Sequence, residues 1–393
     1  MDKSKYLNDK PTDLDFDRRE EKEIDELDDF PEKSSGLNPL VNRPPTKLIS
    51  PFIPKSFSQF LNLLKISSSL GLSLLTRKAY IWGNPVIVHI EPTSLCNLHC
   101  PLCPSGNGEL TRERSKMTFE QFKTIIDKLP STVRMLLLWN QGEPFLVKDF
   151  TRMIRYANQK SMYIVTSTNG HFFRKPEEVE NIVASGIDEI IISLDGADQE
   201  SYQKYRIGGN LELVTKGVRN LAKEKSRLDL NKPLIHLQFI LMKHNISQRE
   251  QMIRMGKEMG ADKLSFKTLQ VTNWKQGEDF LPKDSTFTRY EGKTADGIYK
   301  TKRRKLFPND CLRLWYSAVI NCDGQVSPCC FDKDGQYSTG NLFDSEFSSI
   351  WRGESFQNFR QTLLDSRFAL EMCQDCTEGL KNLYPETIDY HKS

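Results

Sequence analysis

The chain lacks the marks of secretion, of disulfide pairing and of membrane spanning. Its first thirty residues are acidic and hold no apolar core of the kind a secretory signal peptide carries. Its nine cysteines make an odd count, and without a secretory signal they point to a reducing compartment, the cytoplasm, where thiols serve metals rather than disulfides. The one basic run, Lys300, Lys302, Arg303, Arg304 and Lys305, has no interleaved aromatics. It reads as part of a polar linker over 281–310, and no nucleic-acid partner is expected.

What is present exceeds one domain. At 393 residues the chain is longer than the roughly 250–300 that a single core serves. Met1–Lys33 carries 13 acidic against 7 basic residues, net −6, which leaves +9 for the remainder of a chain of formal charge +3. Residues 1–46 are poor in β-branched and aromatic types and read as a disordered charged tail. Within 47–83, an amphipathic helix is expected from Lys55 to Thr76. Ser58, Asn62, Lys65, Ser69, Ser73 and Thr76 recur at helical spacing while Phe and Leu fill the other faces. That polar stripe argues against a transmembrane span. Packing on the following domain, or a peripheral contact of 55–76 with a membrane or a partner groove, both fit.

From Val86 to Leu269 strand alternates with helix. Strands are expected at Val86–Ile90, Met135–Trp139, Tyr163–Ser167, Glu189–Leu194, Ile235–Leu241 and Lys263–Leu269. Helices are expected at Thr118–Lys128, Lys148–Gln159, Pro176–Ala184, Asn210–Lys225 and Gln248–Met259. Six βα units imply an α/β fold with a parallel sheet and right-handed crossovers. Ligands of such sheets gather at the C-terminal strand ends.

Directly after the first strand, Cys96, Cys100 and Cys103 fall within eight residues. Thiolates spaced Cys-x3-Cys-x2-Cys can converge on one 4Fe-4S cluster and leave one iron open. Zinc would want a nearby fourth ligand, and His99 lies between the thiols in poor geometry for it. Inert thiols are the remaining reading.

At these residues the sequence resembles the radical S-adenosylmethionine (SAM) superfamily, although Leu102 stands where the family usually has an aromatic. The resemblance implies a partial (β/α)6 TIM-like barrel over 84–280. It also implies that the open iron binds SAM, and that one electron splits SAM to a 5'-deoxyadenosyl radical that takes hydrogen from a substrate. Gln141-Gly142-Glu143-Pro144 resembles the superfamily's Gly-Gly-Glu-Pro motif. In that motif backbone and Glu accept from the SAM ammonium, and Gly142 and Glu143 are the matching positions; a plain turn is the ordinary alternative. By the same resemblance Ser193 and Asp195 meet the ribose hydroxyls, with Ser167 and Asn169 near them, although Ser and Asp also cap helices. Arg206 falls where relatives place an Arg on the SAM carboxylate; a surface Arg is its bland reading. Gln238 faces either the barrel mouth or the core.

Six cysteines remain, and none follows Cys376. Val319–Cys329 reads as a hairpin turning at Asp323-Gly324, followed by a helix near Phe347–Leu364 and by Cys373-x2-Cys376. This order resembles the SPASM/twitch extension of radical SAM enzymes and implies a small cysteine-rich β-hairpin/helix domain over 311–393. The shorter twitch form, with one auxiliary 4Fe-4S cluster on Cys311, Cys329, Cys373 and Cys376, fits best. Zinc is its alternative, with Cys322 and Cys330 spare.

The expected function is a radical SAM oxidoreductase acting on a sugar, alcohol or lipid-like small molecule. Its auxiliary cluster would accept an electron or position substrate, and a flavodoxin or ferredoxin would be the reductant by resemblance. A peptide or protein maturase is the alternative, weakened because no β-rich leader-binding segment stands ahead of the barrel. A non-catalytic metal protein ranks below both, since an electron carrier needs no open iron. The catalytic acid or base is not legible.

Overall fold

The computed structural model describes residues 53–271, 277–293, 299–302, 311–374, 376–377 and 383–391, all within one compact unit. The tail expected over 1–46 lies outside these residues, as do Arg303, Arg304 and Lys305 of the linker.

Ser56 opens helix α1 (Phe57–Thr76) by accepting the Gln59 N–H on its side chain, and Arg77 closes it at φ 59°. Then come β1 (Ile87–Ile90), α2 (Phe119–Lys128), β2 (Met135–Leu137), α3 (Phe150–Gln159), β3 (Tyr163–Thr168) and α4 (Pro176–Val183). These are followed by β4 (Glu189–Ser193), α5 (Gln199–Tyr205), α6 (Leu211–Arg227), β5 (Leu234–Leu241), α7 (Arg249–Glu258) and β6 (Lys263–Thr268). Thr118 and Gln121 start α2 with a reciprocal capping box.

Strands β1 to β6 pair in parallel and in chain order. Side chains alternate across them. Val88, Ile90, Ile190, Ile192, Leu237 and Phe239 join the core with Phe122, Phe150, Val183 and Leu221 of the helices. The alternate positions, among them His89, Ser167, Ser193, Gln238 and Lys267, face the opposite side, the inside of the curled sheet.

The segment expected as a polar linker buries Leu281 and Tyr290 and pairs Tyr290–Lys293 with Tyr299–Thr301 as an antiparallel ribbon; after it the chain returns to the main sheet twice. β7 (Ser317–Ile320) lies parallel to β1, and β8 (Val326–Ser327) folds back on β7 antiparallel. Gly324 turns that hairpin at φ 82°, where a Cβ would sit 2.6 Å from Asn341 Oδ1. Glu386–Asp389 forms β9, antiparallel to β6. The nine-stranded order is therefore β8-β7-β1-β2-β3-β4-β5-β6-β9, and C-terminal residues cover both edges of the barrel strands. The helix expected over Phe347–Leu364 is two, α8 (Phe347–Arg352) and α9 (Glu354–Asp365). The break falls at extended Gly353, where a Cβ would meet Ser349 O at 2.6 Å. Among the described residues no helix is long and apolar enough to cross a membrane.

Candidate active site

The chain leaves β1 at Glu91, which is buried and gripped by Arg112 Nη2 at 2.6 Å from each oxygen. The loop that follows curls tightly: Cys103 N–H donates to Cys100 O at 3.1 Å, and a Cβ on Gly106 would lie 2.7 Å from Cys100 N. Cys96, Cys100 and Cys103 pack in one apolar cluster with Leu98, Leu102, Tyr205, Met242 and Leu269. Burial pushes the Cys96 thiol up to about 12 and raises Cys100 as well, and each is raised further by the neighbouring sulfurs. Metal ligation reverses that state, because the ligand is the thiolate and the metal's charge offsets its burial. Three thiols in one apolar pocket fit attachment of a cluster by three corners.

The turn after β2 lies directly against this loop. Gly142 adopts φ 71°, and a Cβ there would stand 2.4 Å from Thr93 O and 2.5 Å from Leu95 O. Glu143 N–H donates to Leu95 O at 2.7 Å. The buried Glu143 carboxylate accepts from Thr168 Oγ1 at 2.8 Å and Phe145 N–H at 3.2 Å on Oε1, and from Asn169 N–H at 2.7 Å on Oε2. Even so, burial pushes its carboxyl up to about 7. Asn169 Nδ2 donates to Asn97 Oδ1 at 2.8 Å, tying the end of β3 to the thiol loop.

Asp195 and Arg206, read separately as ligands in the sequence, meet each other. Arg206 Nε and Nη2 both lie 2.6 Å from Asp195 Oδ2, while Ile240 N–H donates to Oδ1 at 2.6 Å. Arg206 Nη1 stands 3.7 Å from Cys100 Sγ. Thus Gly142, Glu143, Asn169 and Arg206 all touch the thiol loop, and Asp195 reaches it through Arg206. Ser167 and Ser193 stand half-buried at the ends of β3 and β4, with Ser193 beside Gln238 in register.

A second set of thiols lines a small apolar pocket of about 20 Å³. Cys311, Cys329, Cys373 and Cys376 line it with Leu314, Phe331, Phe359, Leu363 and Met372, and Arg313 and Arg367 are its cations. Among the described residues no three His, Cys, Asp or Glu side chains form a group that could hold a single metal ion. Four thiols on one apolar lining supply the donor type that an iron-sulfur cluster takes. Cys322 and Cys330 are outside the lining. Cys322 lies 3.1 Å from Ser115 Oγ and 3.7 Å from Arg112 Nη1. Cys330 takes a hydrogen bond from Cys329 and another from Arg313 Nη1 at 3.3 Å, which holds its thiol well below the usual range.

Sequence reasoning missed the polar lining inside the sheet. Lys267 Nζ is 3.4 Å from Gln238 Oε1 and 5.7 Å from the Tyr384 ring centre, and Gln238 Nε2 reaches Tyr384 OH at 3.4 Å. Gln238 therefore faces the interior. Burial, then the Arg289 charge, lowers Lys267 to about 8, and burial lowers His89 to about 4. The signal was available, since Ser265 and Lys267 alternate with the core residues Leu264 and Phe266.

A thiol loop leaving the first strand of a parallel α/β sheet, with a glycine-glutamate turn packed on it, defines a radical SAM site. Residues 90–256 match the model of the radical SAM superfamily, and residues 311–377 match the SPASM iron-sulfur cluster-binding domain. Together the matches take in more than half of the chain, which belongs to the radical SAM superfamily and carries a C-terminal SPASM domain. It is an enzyme of the partial TIM-like barrel fold that uses SAM, a 4Fe-4S cluster and auxiliary iron-sulfur.

The tungsten-containing aldehyde ferredoxin oxidoreductase cofactor-modifying protein of Pyrococcus furiosus is 24% identical over 327 residues, 74% of this chain and 86% of that protein. The PqqA peptide cyclase of Bradyrhizobium diazoefficiens is 24% identical over 319 residues, 76% of this chain and 80% of the cyclase. In fold, the chain is similar to Streptococcus suis SuiB bound to S-adenosylmethionine, with a TM-score of 0.55 at 14% identity over 78% of this chain and 74% of SuiB.

Proposed function

We propose that this enzyme reductively cleaves SAM and uses the product to take a hydrogen atom from an organic substrate, as an oxidoreductase. One observation carries the reading: three thiols, Cys100 buried and Cys96 and Cys103 half-buried, pack in a single apolar cluster, and the Glu143 turn and the Arg206 guanidinium both touch the loop that bears them. When bound, the cluster supplies SAM with the electron that releases a 5'-deoxyadenosyl radical. Cys96, Cys100 and Cys103 hold it by three corners. Glu143 and the Gly142 backbone receive the SAM ammonium, and Ser167, Asn169 and Ser193 face the ribose. Arg206, fixed through Nε and Nη2, has Nη1 for the SAM carboxylate. Asp195 holds Arg206 through Oδ2 and accepts the Ile240 N–H on Oδ1, and like the equally engaged Glu143 it keeps acceptor capacity, here for a ribose hydroxyl beside Ser193.

Cys311, Cys329, Cys373 and Cys376 hold an auxiliary 4Fe-4S cluster that accepts an electron or positions substrate. The substrate is a small sugar, alcohol or lipid-like compound, and the polar interior at Gln238, Lys267 and Tyr384 favours the first two. A peptide substrate is the second reading, favoured by similarity to the PqqA peptide cyclase. A flavodoxin or ferredoxin of the cytoplasm would deliver the electron, as the family resemblance implies.

Anaerobic reconstitution with dithionite and SAM tests this. The protein is expected to form 5'-deoxyadenosine, and Cys100→Ala to form none. Replacing Cys373 and Cys376 with Ala is expected to leave SAM cleavage intact while substrate turnover falls. Absence of 5'-deoxyadenosine from protein with both clusters full would refute the proposal.

A further inference from the structure

Helix α1 carries apolar side chains on both faces: Leu63, Ile66, Leu70 and Leu74 pack on the core, and a second set faces solvent. Asn62, Ser69 and Ser73 of its polar stripe are buried, whereas Phe57, Phe60, Leu61, Leu64 and Leu75 are 39–85% exposed. A surface helix ordinarily turns its apolar stripe to the core.

Hydrogen bonds pin this orientation. Asn62 accepts the Asn84 N–H at 2.8 Å and donates to Asn84 O at 3.0 Å. Ser73 Oγ accepts the Tyr80 N–H at 2.9 Å and donates to Ser69 O at 2.7 Å. Ile66 packs so closely on the returning segment that a Cβ on Gly83 would lie 2.4 Å from its Cγ1. That segment is held in turn by Trp315 Nε1 on Tyr80 O at 2.8 Å and Trp351 Nε1 on Gly83 O at 2.9 Å. Rolling α1 to hide its Phe and Leu residues would strand Asn62 and the Tyr80 and Asn84 N–H groups.

Charge identifies what covers the face. Between Glu32 and Glu91 the sequence has no Asp or Glu but seven Lys and Arg, of which Lys55, Lys65, Arg77 and Lys78 lie on or beside α1 and are exposed. Trp82, on the returning segment, is 47% exposed. An apolar strip rimmed by cations, with an indole nearby, has the chemistry of an interfacial helix on anionic lipid. A second copy docked on the same strip would set these cations against themselves.

We propose that α1 seats the enzyme on an anionic bilayer surface, with Phe57, Phe60, Leu61 and Leu64 among the acyl chains and Lys55, Lys65 and Lys78 at the headgroups. The attachment lies on the membrane without crossing it, and it stands independently of the proposed reaction.

Flotation of the full chain with vesicles tests it. Binding is expected to phosphatidylglycerol-containing vesicles, weakening with salt and falling sharply on pure phosphatidylcholine. Phe60→Ser with Leu64→Ser is expected to lower partitioning by at least about tenfold while the chain stays folded with Tm lowered by no more than about 5 °C, since both side chains are about half exposed. Lys65→Glu with Lys78→Glu is expected to weaken it by about tenfold or more. No flotation with either vesicle, equal binding to both, or undiminished flotation of the serine variant would overturn the proposal. So would a dimer in analytical ultracentrifugation that the serine variant dissociates while no vesicle is bound.

Discussion

Lys267 shows what the interior of the barrel costs. Its ammonium has an amide oxygen at 3.4 Å and an aromatic ring for neighbours, and no carboxylate within ion-pair distance among the described residues. A buried cation without a counter-charge is destabilising. Burial brings its pKa from 10.5 to about 8. Between those two values the unfolded chain binds more protons than the folded one, so this residue makes stability rise with pH across that window. Lys267→Met is expected to remove that contribution to the slope and to raise the unfolding free energy at neutral pH by about 2 kcal/mol, read by urea denaturation of the cluster-free chain. A variant no more stable than the parent would reveal a hidden counter-charge.

Among the elements, the turn after β2 is the least tolerant of change. Gly142 combines φ 71° with two backbone oxygens of the thiol loop inside 2.6 Å of any added Cβ. Gly142→Ala is expected to cost about 2–4 kcal/mol through strain and displacement of that loop. Reconstituted protein should lose iron from the first site and keep it in the C-terminal cavity, as iron counts on the variant with and without Cys373→Ala would show. Elements of this kind were legible to different degrees. The six barrel strands stood out as apolar runs, and α2, α3 and α4 as helical periods, because each of these patterns is local. Strand β9, Glu-Thr-Ile-Asp, carries almost no strand signal; it forms where β6 offers an open edge. Period alone shows that α1 has two faces but not which one is inward, since that depends on Asn84 and Tyr80. The cysteine sets announced their chemistry by residue type. The Asp195–Arg206 pair did not, because two residues that each look like ligands can satisfy one another only through a contact made in space.

Across the whole molecule, the barrel and the C-terminal cysteine region are joined at both sheet edges and again at Arg112. This guanidinium grips Glu91 at the head of the thiol loop, donates from Nε to Lys333 O at 2.8 Å and reaches Cys322 Sγ at 3.7 Å. Beside it, Thr111 N–H donates to Asp334 Oδ1 at 2.6 Å, and Lys128 Nζ donates to Leu342 O at 2.7 Å. Continuity of this kind predicts that the two regions unfold together rather than in turn. Arg112→Met leaves the Glu91 carboxylate buried without its partner and is expected to cost about 3–5 kcal/mol. Calorimetry of the reconstituted chain should show one transition moved to lower temperature. Glu91→Met in the same chain should recover much of the loss, because removing both charges leaves neither orphaned. Two resolved transitions, with only one displaced by Arg112→Met, would mean that the sheet joins the two regions without coupling their stability, and that the C-terminal cluster could be lost while the barrel stayed folded.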